Sequence, residues 1–113
     1  MAIASEPKER SVDVLDVAGN LDASDMVRMK GQLDDLISKE HTQIVLYFKD
    51  AKQADFIGLG MLVERLRRMR SLNGDLKLVG LNAYILKLLR MTGVNKLIET
   101  YDNTTDAINS FSK

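Results

Sequence analysis

The spacing of apolar residues along the chain alternates between two patterns, one typical of strands and the other of helices. Each change from one pattern to the other marks the end of an element. Short apolar runs rich in β-branched residues predict four strands, at Val12–Ala18, Gln43–Phe48, Leu76–Gly80 and Lys96–Thr100. Apolar residues at three- and four-residue steps between and after these runs predict four helices. Three methionines fall on those helical stripes and are predicted to fill core volume: Met26, Met29 and Met69.

Small polar residues and glycines predict where the helices begin and end. The second helix is predicted to run from Gly58 onward and to stop at Asn73–Gly74, and Gly93 is predicted to end the third. The predicted N-caps of the other helices are Ser24 or Asp25, Asn82, and Asn103 or Thr104.

Strict alternation of strand and helix predicts an α/β fold with a mixed, largely parallel sheet and about four helices packed against it. Right-handed crossovers are expected to join the strands. A chain of 113 residues is long enough for one core. We expect residues 12–113 to form a single domain and residues 1–11 to form an N-terminal arm or a first edge strand.

Charge and composition narrow the function classes. Lys plus Arg number 16 and Asp plus Glu number 16, so no net field attracts nucleic acid or an acidic membrane. The chain has no cysteine and one histidine, which argues against a metal site and fits an intracellular, cytoplasmic protein. Its longest apolar run, Ile44–Phe48, is far shorter than the roughly 20 residues that cross a bilayer.

Two glycines open the second helix directly after a strand, as in loops that bind phosphate. Gly58 and Gly60 lack the third glycine of a dinucleotide-binding motif and the Gly-Lys-Ser/Thr of a P-loop. The simpler interpretation is that both glycines permit tight turning and close packing of the helix on the sheet. No cofactor is predicted.

Other polar residues give weak signals of chemistry. A solvated helix face is the favoured interpretation of the Arg65, Arg67, Arg68 and Arg70 cluster, and the alternatives are an acidic protein partner and, less favoured, a nucleic-acid site. His41 is interpreted as a solvated loop residue, and Thr92 as a hydroxyl bonded to its own helix. An acid–base pair would need two of the strand-end carboxylates close together, and the candidates are Asp22, Asp50 and Asp55. We expect no enzymatic activity.

Four motifs together resemble the STAS domain, and bacterial anti-sigma factor antagonists in particular. They are Leu15-x-Val17-x-Gly19-x-Leu21-Asp22, Ile44-Val45-Leu46 with Asp50, Asp55-x-x-Gly58-Leu59-Gly60, and Met91-Thr92-Gly93-Val94. The resemblance extends from about Val12 to Phe111. It implies a small α/β domain that binds an anti-sigma factor, which is also a serine kinase. Phosphorylation of the domain is expected to switch this binding off.

The resemblance also implies where that partner binds. The expected surface comprises Asp22, Ala23, Ser24 and Asp25 at one helix start, and Asp55, Phe56, Ile57, Gly58, Leu59 and Gly60 at the next. Family members usually carry serine or threonine after the aspartate, and the phosphoacceptor position corresponds to Ile57. Ile57 has no hydroxyl, so the usual switch is predicted to be absent. Phe56 and Ile57 are expected either to face a partner or to pack inward beneath the helix.

Three functional hypotheses follow. The first is an anti-sigma factor antagonist-like adaptor without the serine switch. The second keeps the fold but assigns it as an accessory subunit of an ABC-type lipid transporter, docked on the transporter ATPase, or as a scaffold subunit of a sensory complex. The third is a nucleotide or small-ligand sensor that uses the Gly58 helix start and the arginine cluster. Homodimer formation is left open.

Overall fold

The computed structural model describes residues 11–112, in which strands and helices alternate. The strands are β1 (Asp13–Asp16), β2 (Gln43–Tyr47), β3 (Asp75–Val79) and β4 (Glu99–Tyr101). The helices are α1 (Ala23–Ser38), α2 (Phe56–Ser71), α3 (Ala83–Thr92) and α4 (Thr104–Ser110). A 3-10 turn, Val94–Lys96, separates α3 from β4. Residues 1–10 of the expected arm or edge strand lie outside the described residues.

The strands form one sheet in the order β1-β2-β3-β4, and every neighbouring pair is parallel. The register places Val14, Val45, Lys77 and Glu99 side by side across it. Within residues 11–112, four helices cover this sheet, so the α/β fold predicted from alternation is confirmed. Because all four strands run the same way, the segments that follow them leave from one edge of the sheet.

Apolar packing differs between the two faces of the sheet. Helices α1, α2 and α3 enclose the larger core, which includes Ile44 and Leu46 from β2 and the three predicted core methionines. Helix α4 covers the opposite face through Ala107, which packs with Val45 and Val79. A strand buried on both faces explains why β2 is almost continuously apolar.

Lys77 is buried among the apolar residues on the α4 side. Its Nζ donates a hydrogen bond to Ser110 Oγ at 2.6 Å and lies 3.0 Å from Glu99 Oε1. The same atom lies 4.3 Å from the centre of the Phe111 ring. These contacts satisfy the buried ammonium group and attach α4 to the sheet.

Several predicted boundaries shift. Strand β1 is shorter than Val12–Ala18, and β4 begins at Glu99 instead of Lys96. The cause at β4 is the 3-10 turn, which uses the residues directly after Gly93. Gly93 ends α3 in the left-handed region with φ 81°, as predicted. Among residues 11–112, no helix is long and apolar enough to cross a bilayer.

Candidate functional site

The starts of α1 and α2 lie side by side at the carboxyl edge of the sheet. Leu21 and Ala54 form an isolated parallel bridge just beyond β1 and β2. The Leu21 amide donates to the Gln53 carbonyl at 3.0 Å, and the Asp55 amide donates to the Leu21 carbonyl at 3.0 Å. Main-chain hydrogen bonds therefore join the two segments that the STAS resemblance implied as one surface.

An aspartate caps each of these helices, and the two caps have nearly the same geometry. Asp22 Oδ1 accepts from the Asp25 amide at 2.9 Å, and Asp55 Oδ1 accepts from the Gly58 amide at 2.7 Å. The predicted cap of α1 at Ser24 or Asp25 is thus wrong, and α2 begins at Phe56 instead of Gly58. The reason is that a carboxylate reaches the amide three residues on, so the helix starts directly after each aspartate.

Position 58, three residues after Asp55, has room only for glycine. A Cβ atom added to Gly58 would lie 2.0 Å from the Leu21 carbonyl oxygen and 2.8 Å from Asp22 Cα. Only glycine lets the first turn of α2 approach the start of α1 so closely. Gly60 is different, because among the described residues an added Cβ would meet nothing within 4 Å. Close packing is therefore confirmed for Gly58 and wrong for Gly60.

Asn20 is a structural residue of this site that the sequence interpretation missed. Its side-chain oxygen accepts from the amides of Lys52 and Gln53 at 2.8 and 3.1 Å. Its own amide donates to Asp25 Oδ2 at 2.7 Å. Asn20 consequently links the loop after β1 to the loop after β2. A Gly-Asn pair after a strand is typical of a turn, and nothing in the local pattern identifies the second loop as the partner of Asn20.

Phe56 and Ile57 occupy the first turn of α2 with their side chains 75% and 64% exposed. The inward-packing alternative is therefore wrong for both. Gly58 and Leu59 are buried and shape the helix start from beneath. Across the same edge, Ser24 is exposed and its hydroxyl donates to Asp22 Oδ1 at 3.2 Å. Two large apolar side chains thus project from the carboxyl edge of the sheet, where the polar groups hydrogen-bond to one another.

The arginine cluster divides between packed and free positions. Arg65 is buried and donates hydrogen bonds to Asp34 of α1 and to Glu64, so a solvated face is the wrong interpretation for it. The hydrogen bonds between Arg65 and Glu64 lower the pKa of Glu64 below its ordinary value and raise that of Arg65. Arg70 pairs with Asp75 at 3.0 Å. Within residues 11–112, the exposed Arg67 and Arg68 have no ion pair.

The remaining polar candidates do not assemble into a reactive group. Asp22 and Asp55 serve as helix caps, while Asp50 is exposed in the turn after β2. His41 Nδ1 lies 2.8 Å from Asp13 Oδ2, near the amino end of β2 and away from the helix starts. Thr92 donates to the Leu88 and Leu89 carbonyls, as predicted. In the part of the chain that the structure describes, no three His, Cys, Asp or Glu residues form a metal-binding group.

Comparison with known proteins agrees with this architecture. The family model described as "Mlab, STAS domain" matches residues 4–99. The anti-sigma F factor antagonist of Paenibacillus polymyxa is 33% identical over 102 residues, covering 88% of this chain and 86% of the relative.

Two solved structures share the fold. The crystal structure of a candidate anti-sigma factor antagonist from Thermotoga maritima has TM-score 0.78 and 22% identity, covering 88% of each chain. A sulfate transporter family protein from Wolinella succinogenes has TM-score 0.77 and 19% identity, covering 89% of this chain and 84% of its own. With the family match and the Paenibacillus relative, these likenesses lead to one conclusion: the chain belongs to the STAS domain family.

Proposed function

We propose that this chain is a non-enzymatic, anti-sigma factor antagonist-like adaptor that binds an anti-sigma factor or a related serine kinase. The binding surface would comprise the starts of α1 and α2, and the cytoplasm would be its location. The observation that carries the proposal is the exposure of Phe56 and Ile57 at the α2 start. A large apolar side chain contributes about 1.5 to 3 kcal/mol when a partner covers it fully.

The proposal includes the absence of the usual phosphorylation switch. A phosphoserine in the first turn of a helix would add nearly two negative charges to a surface that docks a partner. Ile57 corresponds to the usual acceptor position in the STAS resemblance and cannot accept phosphate. Binding through this surface would therefore persist in the presence of kinase and ATP.

The test uses purified anti-sigma factor kinases from the source genome, each incubated with the full chain and ATP. We expect one of them to form a stable complex without transferring phosphate to position 57. Ile57→Ser should gain phosphate there and release the partner. A matched control is Leu97→Ser, because Leu97 is also exposed and apolar but precedes β4 at the opposite end of the sheet. Failure of every kinase to bind would overturn the proposal.

A second candidate is an accessory subunit that docks on a transporter ATPase, or a scaffold subunit in a sensory complex. The missing hydroxyl at Ile57 favours this candidate, because phosphorylation need not be the signal in such assemblies. Affinity purification from native lysate separates the two. Recovery of sigma-regulatory proteins without a transporter ATPase would reject the transporter version, and the reverse result would reject the first proposal.

A further inference from the structure

An open groove of about 380 Å³ lies beside α2, on the side opposite α1. Its α2 wall is a single helical stripe, and its other wall is the end of α3 with the 3-10 turn. The residues that line it include Phe56, Gly60, Val63, Arg67, Thr92 and Val94. The Thr92 hydroxyl donates to the Leu88 and Leu89 carbonyls of its own helix. Because this hydroxyl is already bonded, the wall that Thr92 and Val94 form offers mainly apolar surface.

Gly60 leaves an unfilled position in this groove. It is exposed in the middle of the stripe, and an added Cβ would contact nothing within 4 Å in the part of the chain that the structure describes. A glycine inside a helix is less favourable than alanine, and within residues 11–112 no close contact accounts for it here. The missing side chain creates room for one from another molecule, between Phe56 and Val63.

The charges along the groove favour an acidic occupant. Glu64 also lines the groove, but its carboxylate accepts two hydrogen bonds from Arg65, at 2.9 and 2.7 Å. Arg67, at the far end of the stripe, is exposed and has no ion pair within residues 11–112. The free charge of the groove is thus positive and lies about 10 Å, or about two helical turns, from Gly60.

The walls also favour a helical occupant. They consist of α2, the end of α3 and the 3-10 turn, so within residues 11–112 the groove offers no strand edge to pair with an extended peptide. A helix satisfies its own main-chain hydrogen bonds and can lay an apolar face in such a groove. We propose that the groove binds an amphipathic helix of a partner protein, which seats a bulky apolar side chain over Gly60 and pairs a carboxylate with Arg67.

This inference rests on the proposed function, since it assumes that a protein docks at the start of α2, and it adds the partner's chemistry. It predicts a recognition pattern in which the apolar residue and the Asp or Glu lie about seven positions apart in the partner helix. The groove continues from Phe56, so the same partner would cover the exposed helix start and the stripe beside it.

The probe is a display library of helix-forming peptides of about 16 residues, or about four turns, selected against the full chain. We expect the selected peptides to carry a bulky apolar residue and an acidic residue about two turns apart. Gly60→Leu should fill the groove and weaken their binding at least about tenfold, and Arg67→Glu should do the same.

Matched controls separate the groove from general effects. Gly31→Leu changes another exposed helical glycine with nothing within 4 Å, and Arg68→Glu reverses the charge beside Arg67 without touching the groove. Both should leave peptide affinity within about twofold of the original. Exchanging the acidic residue of the peptide for lysine should restore binding to the Arg67→Glu variant.

Three results would overturn the inference. They are a selection that yields no peptides, peptides without the acidic residue, or peptides that bind Gly60→Leu as well as the unaltered chain. Two further measurements test other occupants. If sedimentation shows a dimer that Gly60→Leu abolishes, a second copy of the chain fills the groove. If calorimetry shows heat from dodecanoate binding that Gly60→Leu abolishes, a fatty acid fills it. Either result would overturn the proposal that a partner helix binds there.

The outcome is independent of the kinase experiment, because the peptide selection needs no natural partner. Suppose that a kinase binds the chain, that Ile57→Asp abolishes this binding, and that the peptide selection fails. That combination would leave the proposed function intact and remove the groove inference. Peptides that follow the expected pattern, with no kinase bound, would instead remove the proposed partner.

Discussion

On the α1 side of α2, Gly58 and Arg65 lie about two turns apart, and on the groove side Gly60 and Arg67 repeat that spacing. The first pair is packed, since Gly58 touches the Leu21–Asp22 backbone and Arg65 bonds to Asp34. The second pair touches nothing comparable within the described residues. The same two residue types therefore support the fold on one side of a helix and leave exposed surface on the other.

Among the variants that test this comparison, Gly58→Ala is expected to change the free energy of unfolding most. Its added Cβ would overlap the Leu21 carbonyl oxygen, so the α2 start must move away from α1. We expect a loss of about 3 kcal/mol in the free energy of unfolding. Urea denaturation followed by circular dichroism measures it, and a loss below about 1 kcal/mol would show that the close approach is not needed.

Arg65→Ala should come next, at about 2 kcal/mol of destabilisation. The change removes a buried aliphatic stem together with hydrogen bonds to two carboxylates. Arg67→Ala is the matched variant, and its free energy of unfolding should stay within about 0.5 kcal/mol of the original. Equal urea midpoints for the two variants would refute the difference between the two sides of α2.

Gly60→Ala should change stability in the opposite direction. Alanine fits the open position and favours the helix, so we expect a gain of about 0.5 to 1 kcal/mol. Gly31→Ala in α1 should give a similar gain, since it also has open space around it. A destabilised Gly60→Ala variant in thermal unfolding would mean that the groove side is packed after all.

The smallest expected effect is the pH dependence that Glu64 contributes. Hydrogen bonds from Arg65 lower its pKa from the ordinary value of 4.5. A carboxyl whose pKa is lower in the folded protein adds stability that is present above the unfolded pKa and is lost as pH falls through the folded pKa. Between about pH 5 and about pH 3, the urea midpoint of Glu64→Gln should therefore fall less steeply than that of the unaltered chain.

A double variant checks the cause of that slope. Arg65→Met removes the hydrogen-bond donor, so adding Glu64→Gln to it should produce no further change in pH dependence. A slope that still changes in the double variant would assign the effect to another charge near Glu64, such as Lys30.

The sequence predicted the fold well, because strict alternation of strands and helices leaves few arrangements other than a parallel sheet. The STAS resemblance identified the two helix starts that the structure brings together. The helix bounds failed by two residues at α2, since Phe56 and Ile57 look unlike first-turn residues until Asp55 is recognised as the cap. Propensity at a helix start is a weak signal when a carboxylate satisfies the exposed amides.

The groove could not be assigned in the same way. Phe56, Gly60, Val63 and Arg67 recur at helical spacing, which could have indicated a second face of α2. Whether that face is covered depends on where the end of α3 lies, and this is a long-range property of the fold. For the same reason, the four arginines look alike in the sequence although only Arg65 meets Asp34.

The two bonds that the Asn20 side chain accepts from the loop after β2 have a consequence for how such domains diverge. They hold the loops through main-chain amides of Lys52 and Gln53, so the spacing of the helix starts does not depend on which side chains occupy positions 56 and 57. Under the proposed function, substitutions there would exchange one binding specificity for another without refolding the scaffold. The same arrangement makes positions 56 and 57 suitable for grafting chosen residues onto a preformed edge.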